Sequence, residues 1–181
     1  MGKHEVAIFL DRDGTLIRDF NDIVRPAQVR ILRNTAPGLA LLRKAGFLLV
    51  VVSNQPVVGK GLITRRGVEK LHALLNARLA KRGAHIDAFY FCPHRHWDNC
   101  ACRKPKLGLV RQAAKKYGIN LRRSFFIGDD MRDVETGRRG KIKTILVRTG
   151  KGGRDKRFYN VKPDLVARDL LDAARIITKH L

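Results

Sequence analysis

The sequence predicts an α/β fold, one parallel sheet with helices packed on both faces. Three observations carry that expectation. Short apolar runs alternate with helix-like patterns along the chain. The runs are apolar at successive positions, as in strands buried on both faces, and not only at every second one. Each run is followed by a polar or glycine-containing segment. Right-handed crossovers would gather those segments along one edge of the sheet, where open parallel sheets bind ligands.

Taken in order, residues 6–10 (VAIFL) read as the first strand and stop at Asp11. Thr35 ahead of Pro37 marks a helix start and Gly46 a stop, which predicts a short helix over 36–45. Residues 47–52 (FLLVVV) are the second strand, ending at Ser53 and Asn54. Over 64–82, Val68, Leu71, Leu74, Leu75 and Leu79 recur at helical spacing, with Thr64 as cap and Gly83 as terminator. Residues 88–91 form a strand that runs into a cysteine-rich loop. A helix over 107–117, a strand over 124–127, a helix over 132–139 and a strand over 142–147 follow. The run 165–167 introduces a last helix over 168–179. No repeat or linker interrupts the series, so residues 1–181 are expected to form a single domain.

Composition narrows the class. A chain of 181 residues buries roughly 70% of its unfolded surface and needs no disulfide to hold a core. The longest apolar runs fall far short of the ~20 residues that span a bilayer, so no membrane insertion is expected. The start, MGKHEVAIFLDRDG, carries Glu5 and Asp11 and no small-residue cleavage site, which argues against a signal peptide and for the cytoplasm. Thirty-eight Lys and Arg against 16 Asp and Glu give a net charge of +22, spread along the chain. Such a field concentrates phosphorylated metabolites, nucleic acid or anionic membrane surfaces alike. A general compositional bias explains it equally well, so charge alone does not choose the partner.

The segments behind the strands carry the chemistry. Asp11-Arg12-Asp13-Gly14-Thr15 puts two carboxylates two residues apart, just beyond a buried strand. Asp11 is suited to attack a phosphoryl group and Asp13 to donate a proton to the leaving oxygen and later take one from water. Crowded carboxylates favour a hard cation such as Mg²⁺; the plainer reading is that they cap a turn. Ser53, Asn54 and Gln55 offer hydroxyl and amide groups to phosphoryl oxygens. Cys92, His94, Cys100 and Cys102 form C-x-H-x5-C-x-C, a closed Cys3His set for structural Zn²⁺, with a cysteine nucleophile or a coincidence of thiols as alternatives. The three cysteines are the whole complement, which argues against disulfides. His96 is a spare, expected in solvent. Arg103 and Lys104 follow the last ligand at once and suit a phosphate clamp. Gly128-Asp129-Asp130-Met131-Arg132-Asp133 supplies a second acidic cluster; Asp133 either completes the cation site or caps the next helix. The stretch 151–157 (KGGRDKR) is expected to be a surface loop without a role.

Together these residues resemble the haloacid dehalogenase superfamily of phosphotransferases. DRDGT matches its first motif, SNQ its second, Lys104 its third and GDDMRD its fourth, across residues 6–147. The resemblance implies a Rossmann-like, doubly wound sheet, Asp11 as nucleophile and Asp13 as general acid and base. It implies Mg²⁺ held by the Asp11 and Asp129 carboxylates and the Asp13 backbone carbonyl. Ser53 and Lys104 would stabilise the transferring phosphoryl group, Arg103 would recognise the substrate, and the loop bearing Asp19 and Asp22 would contact a sugar. Only 41 residues separate Asp11 from Ser53, so the fold is expected to be capless.

DRDGT, the zinc loop with CRKP, and VRTGKG at 147–152 look like the subfamily of heptose 1,7-bisphosphate 7-phosphatases and histidinol-phosphate phosphatases. The five residues between His94 and Cys100 lean to the second, while GKGLIT and VRTGKG lean to the first. Asp130 departs from both, which usually carry Lys or Arg there, and removes a positive charge. The expectation is a monomeric Mg²⁺-dependent phosphomonoesterase acting on a small phosphorylated metabolite, a sugar bisphosphate first and histidinol phosphate second. A polynucleotide 3′-phosphatase or nucleic-acid-binding module stands as the alternative from another class. Against it, aromatics are only 7% and form no platform interleaved with basic residues.

Overall fold

A computed structural model describes residues 6–155 and 159–179. Six strands, β1 (Ala7–Leu10), β2 (Leu48–Asn54), β3 (Ala88–Cys92), β4 (Phe125–Gly128), β5 (Lys143–Val147) and β6 (Leu165–Ala167), form one sheet. All pairings are parallel, in the order β3-β2-β1-β4-β5-β6. The order reverses at β1, so the crevice between the ends of β1 and β4 is the topological switch point of a Rossmann-like sheet.

The two-residue period of a strand sorts the core into two layers. Ile8 and Leu10 of β1, with Leu49, Val51, Ile127 and Ile145, pack against α1 (Thr35–Lys44), α2 (Arg65–Ala80) and α5 (Leu170–Thr178). Ala7 and Phe9, with Val50, Val52 and Phe126, face the other way, onto α3 (Gly108–Tyr117). A smaller cluster of Met131, Val134 and Leu146 seats α4 (Met131–Gly140). Every strand position in β1 is buried, which is why its sequence shows no polar alternation. Truncating a fully buried side chain here, such as Leu39 to Ala, would cost about 2–5 kcal/mol.

The elements match the expected order, with shifts at their ends. Thr64 caps α2, accepting from the Gly67 N–H at 3.1 Å. α1 has Asn34, not Thr35, at its cap position, and the Thr35 hydroxyl instead donates to the Leu16 carbonyl. β2 runs two residues further than expected, so Ser53 and Asn54 are its last two residues, paired with Phe91 and Cys92 of β3. Ser124 lies before β4, where its Oγ accepts from Ala7 N–H across the sheet. Residues 165–167 form a sixth strand on β5 and do not merely introduce α5. Of the expected loop 151–157, residues 156 and 157 lie outside the described residues, as do residues 1–5 at the start.

Candidate active site

β1 ends by delivering Asp11 to the switch point, where its N–H donates to the Ile127 carbonyl at 3.0 Å. Asp129 follows β4 and Asp133 sits in the first turn of α4. The carboxylates of Asp11, Asp129 and Asp133 offer oxygens within 4.8 Å of one another. Lys104 reaches between two of them, its Nζ 2.8 Å from Asp11 Oδ1 and 2.7 Å from Asp133 Oδ1.

One ammonium cannot balance three carboxylates, and the titration behaviour follows. Burial works against the charge of Lys104, but Asp11 and Asp133 hold it above its ordinary value. Burial pushes the Asp11 and Asp133 carboxyls up despite Lys104 beside them. Burial and the nearby Asp11 raise Asp129 to about 7. The cluster thus has more negative charge than its one cation can hold. Oxygen-only donors with that excess fit a hard divalent ion.

The Asp129 carboxylate occupies a cradle of backbone. It accepts from the Lys151 N–H at 2.6 Å and from the Thr15 hydroxyl at 3.3 Å. Gly14 and Gly150, both at positive φ, lie so close that a Cβ on either would collide with it. Asp133 answers the question its position posed by doing both jobs. It completes a capping box with Asp130 at the start of α4 and also joins the carboxylate cluster.

Asp13 is held from behind. Arg12, almost wholly buried, donates Nε to Asp13 Oδ1 at 2.7 Å and Nη2 to Oδ2 at 2.9 Å. Gln55 Nε2 donates to Asp13 Oδ2 at 2.9 Å and to Ser53 Oγ at 2.7 Å, so the Ser53 hydroxyl keeps its own hydrogen to donate. Asn54 brackets the backbone of Lys104: its Nδ2 donates to the Lys104 carbonyl and its Oδ1 accepts the Lys104 N–H.

A pocket of about 240 Å³ opens above these groups. Asp11, Asp13, Ser53, Lys104 and Asp129 line it, with Asp19, Asp22, Asn54 and Arg103 also on its wall. Gln55, expected to meet phosphoryl oxygens, is not on that wall; its amide is spent on Arg12, Asp13 and Ser53. Lys60, Arg132 and Lys151 also line the pocket and were not singled out from the sequence. Lys60 pairs with Asp22 at 2.8 Å.

The loop after β5 corrects a second expectation. Residues 151–155 are tied to the site: Lys151 Nζ lies 2.7 Å from Asp130 Oδ2, and the Met131 N–H donates to Asp155 at 3.1 Å. Burial and the adjacent Asp130 raise Asp155 to about 6. The acid at 130 therefore brings a cation with it, from a different part of the chain.

Beside this site, Cys92 ends β3 and His94, Cys100 and Cys102 return to it. The Sγ atoms of Cys92 and Cys102 are 3.2 Å apart, Cys100 is 3.5 Å from each, and His94 Nδ1 is 3.2 Å from Cys102. A zinc–sulfur bond of about 2.3 Å gives tetrahedral edges of about 3.8 Å, so the four donors are already gathered on a scale that suits one ion. All three cysteines are free thiols. Burial opposes ionisation of Cys100, but the Arg103 N–H and the neighbouring thiols bring it down to about 7. His96 lies outside this set, with its ring edge-on to Trp97 at 4.1 Å.

Comparisons with known proteins point to one class of hydrolase. The family model described as HAD-hydrolase-like matches residues 101–173. The D-glycero-beta-D-manno-heptose-1,7-bisphosphate 7-phosphatase of Pasteurella multocida is 38% identical over 152 residues, covering 80% of this chain and 83% of its own. The D-glycero-D-manno-heptose-1,7-bisphosphate 7-phosphatase of Chlorobaculum tepidum is 39% identical over 180 residues, covering 92% and 90%. The crystal structure of D,D-heptose 1,7-bisphosphate phosphatase from B. bronchiseptica, complexed with magnesium and phosphate, matches with a TM-score of 0.90 at 29% identity, covering 97% of this chain and 99% of that one.

Proposed function

The chain belongs to the heptose 1,7-bisphosphate 7-phosphatase family of HAD-like hydrolases, and on that premise we propose how its own residues remove the 7-phosphate of D-glycero-D-manno-heptose 1,7-bisphosphate. The observation that carries the reading is Asp11 at the switch point, paired to Lys104 and facing a pocket it shares with Asp13. An Asp11 oxygen attacks phosphorus, the bond to the sugar oxygen breaks, and Asp13 gives that oxygen its proton. Water then attacks the aspartyl-phosphate, Asp13 takes the water's proton, and the bond to Asp11 breaks to restore the carboxylate. Lys104 Nζ and the Ser53 hydroxyl offset charge on the phosphoryl oxygens, where most of the catalysis in such transfers lies.

Asp11, Asp129 and the Asp13 backbone carbonyl would hold magnesium, with Asp133 as the third carboxylate in reach. When bound, the ion draws charge from the phosphoryl oxygens and orients them. Cys92, His94, Cys100 and Cys102 would hold a structural zinc that stiffens the loop carrying Arg103 and Lys104. Arg103, Asp19 and Asp22 are read as contacts to the rest of the sugar bisphosphate. The chain is read as a single-domain monomer. Free thiols suit the reducing cytoplasm, and among the described residues no helix is long and apolar enough to cross a membrane.

The test is kcat/KM for the heptose bisphosphate, histidinol phosphate and a 3′-phosphorylated oligonucleotide, each with and without chelator. The heptose substrate is expected to lead by at least about tenfold, a difference of about 1.4 kcal/mol in transition-state binding. A lead for histidinol phosphate or the oligonucleotide would overturn the substrate reading, and activity untouched by chelation would overturn the metal.

A further inference from the structure

Arg12 is the largest fully buried side chain of the chain's described residues, only 1% exposed. Burying a guanidinium costs several kcal/mol unless its hydrogen bonds are met, and apolar replacements often do better for stability alone. Its partners are specific. Nε and Nη2 grip the two oxygens of Asp13 in a fork, Nη2 also donates to Gln55 Oε1 at 2.7 Å, and Nη1 lies 3.2 Å from His72 Nε2. His72 is itself fixed, stacked on Phe89 at 4.7 Å and edge-on to Phe91 at 5.5 Å. Burial and the adjacent guanidinium lower His72 to about 3, so its ring is neutral and Nε2 is free to accept from Arg12.

The geometry counts out the remaining capacity of Asp13. A carboxylate offers about four lone-pair positions. Arg12 takes two and Gln55 a third, leaving one for the pocket that Asp13 lines. Among the described residues no cap domain covers the site, and the contacts that orient Asp13 come from the core beneath it.

We propose that Arg12 is a positioning residue: anchored by His72 and Gln55, it holds the Asp13 carboxylate with its one open lone pair toward the water that hydrolyses the aspartyl-phosphate. The proposal rests on the reading of Asp13 as the base for that step. There a water oxygen bonds to phosphorus, the Asp11–phosphorus bond breaks with its electron pair returning to Asp11, and the water's proton passes to Asp13. The Asp13 oxygen that receives this proton is the one Arg12 orients.

The two half-reactions can be separated with p-nitrophenyl phosphate, whose leaving phenolate needs no proton, followed by rapid quench on the magnesium-loaded full chain. Arg12→Lys, which keeps the charge and loses the fork, is expected to form the aspartyl-phosphate at the wild-type rate. A burst of p-nitrophenolate would precede turnover about 10²-fold below wild type, the size of a lost proton transfer. Normalising turnover to burst amplitude counts folded sites only. His72→Phe keeps the ring on Phe89 and deletes Nε2; it should show the same separation at about fivefold, the value of one net hydrogen bond. If Arg12→Lys yields no active sites, His72→Phe decides alone. Burst rate and turnover falling together, or turnover at the wild-type level, would overturn the clamp, provided Asp13→Asn keeps its burst and loses turnover. If Asp13→Asn shows no such separation, the base assignment fails and the clamp with it.

Discussion

Two clusters of ionisable groups sit along the same edge of the sheet, one behind β1 and β4 and the other behind β3, and they are built in opposite ways. Asp11, Asp129 and Asp133 leave from strand ends or the first turn of a helix, and Lys104 is bracketed by Asn54 at the end of β2. Their positions follow from the core, so this cluster exists before any ion arrives. In the thiol cluster only Cys92 belongs to a strand; the other three ligands ride a loop whose Trp97 is 60% exposed. That loop has few apolar groups of its own to bury, so a bound metal would do the work a core does elsewhere. Losing a carboxylate from the first cluster should remove chemistry and leave shape. Losing one from the second should remove shape first.

The strongest way to break that contrast is Asp11→Asn. Turnover is expected to fall by about 10⁴-fold or more, as when a nucleophile is deleted, while circular dichroism and melting stay near wild type. A variant that melts early would show that the carboxylate cluster is structural too. Lys104→Met marks the limit of that rule, because it strips from Asp11 and Asp133 the ammonium they share. Removing one partner of a buried pair costs about 3–5 kcal/mol, and saturating magnesium should return part of that loss in a thermal melt.

Cys92→Ser addresses the other cluster. About one zinc per wild-type chain by metal analysis should fall in the variant, with a loss of about 3 kcal/mol, or about 10 °C in Tm for a chain this size. Zinc-free protein that melts at the wild-type temperature would erase the distinction between the two regions. The narrowest effect, absent at neutral pH and growing only in acid, belongs to His72, which borders the carboxylate side. It stays neutral in the fold down to about pH 3, whereas an unfolded histidine takes a proton near 6.5. Unfolding therefore takes up a proton between those values. The stability present above pH 6.5 drains away as pH falls, by about 3 kcal/mol at pH 4. His72→Phe should flatten denaturant midpoints over that range.

The first and fourth motifs were legible because each acid stands directly behind a fully apolar run, and a parallel sheet brings such ends together. The gathering of Cys92, His94, Cys100 and Cys102 was legible from their spacing alone. Arg12 was not, although it lies inside the first motif, because charged side chains are seldom fully buried and nothing local marks the exception. His72 was hidden in the apolar stripe of α2, where helical spacing reads it as one more inward position. Lys151 was missed because its partner, Asp130, is 21 residues away and meets it only through the crossover between β4 and β5. Gln55 was legible as a site residue but not its direction, which depends on Ser53 lying within β2 instead of beyond it.

Asn54 has a reach beyond its own hydrogen bonds. It is paired in register with Cys92 on one side and grips the Lys104 backbone on the other, so three residues link a thiol to the Lys104 ammonium beside Asp11. Oxidant damage to the sulfurs would therefore travel along that short span. Stored without reductant, the enzyme should go silent while its sheet is still intact, and fresh thiol with added zinc should revive it.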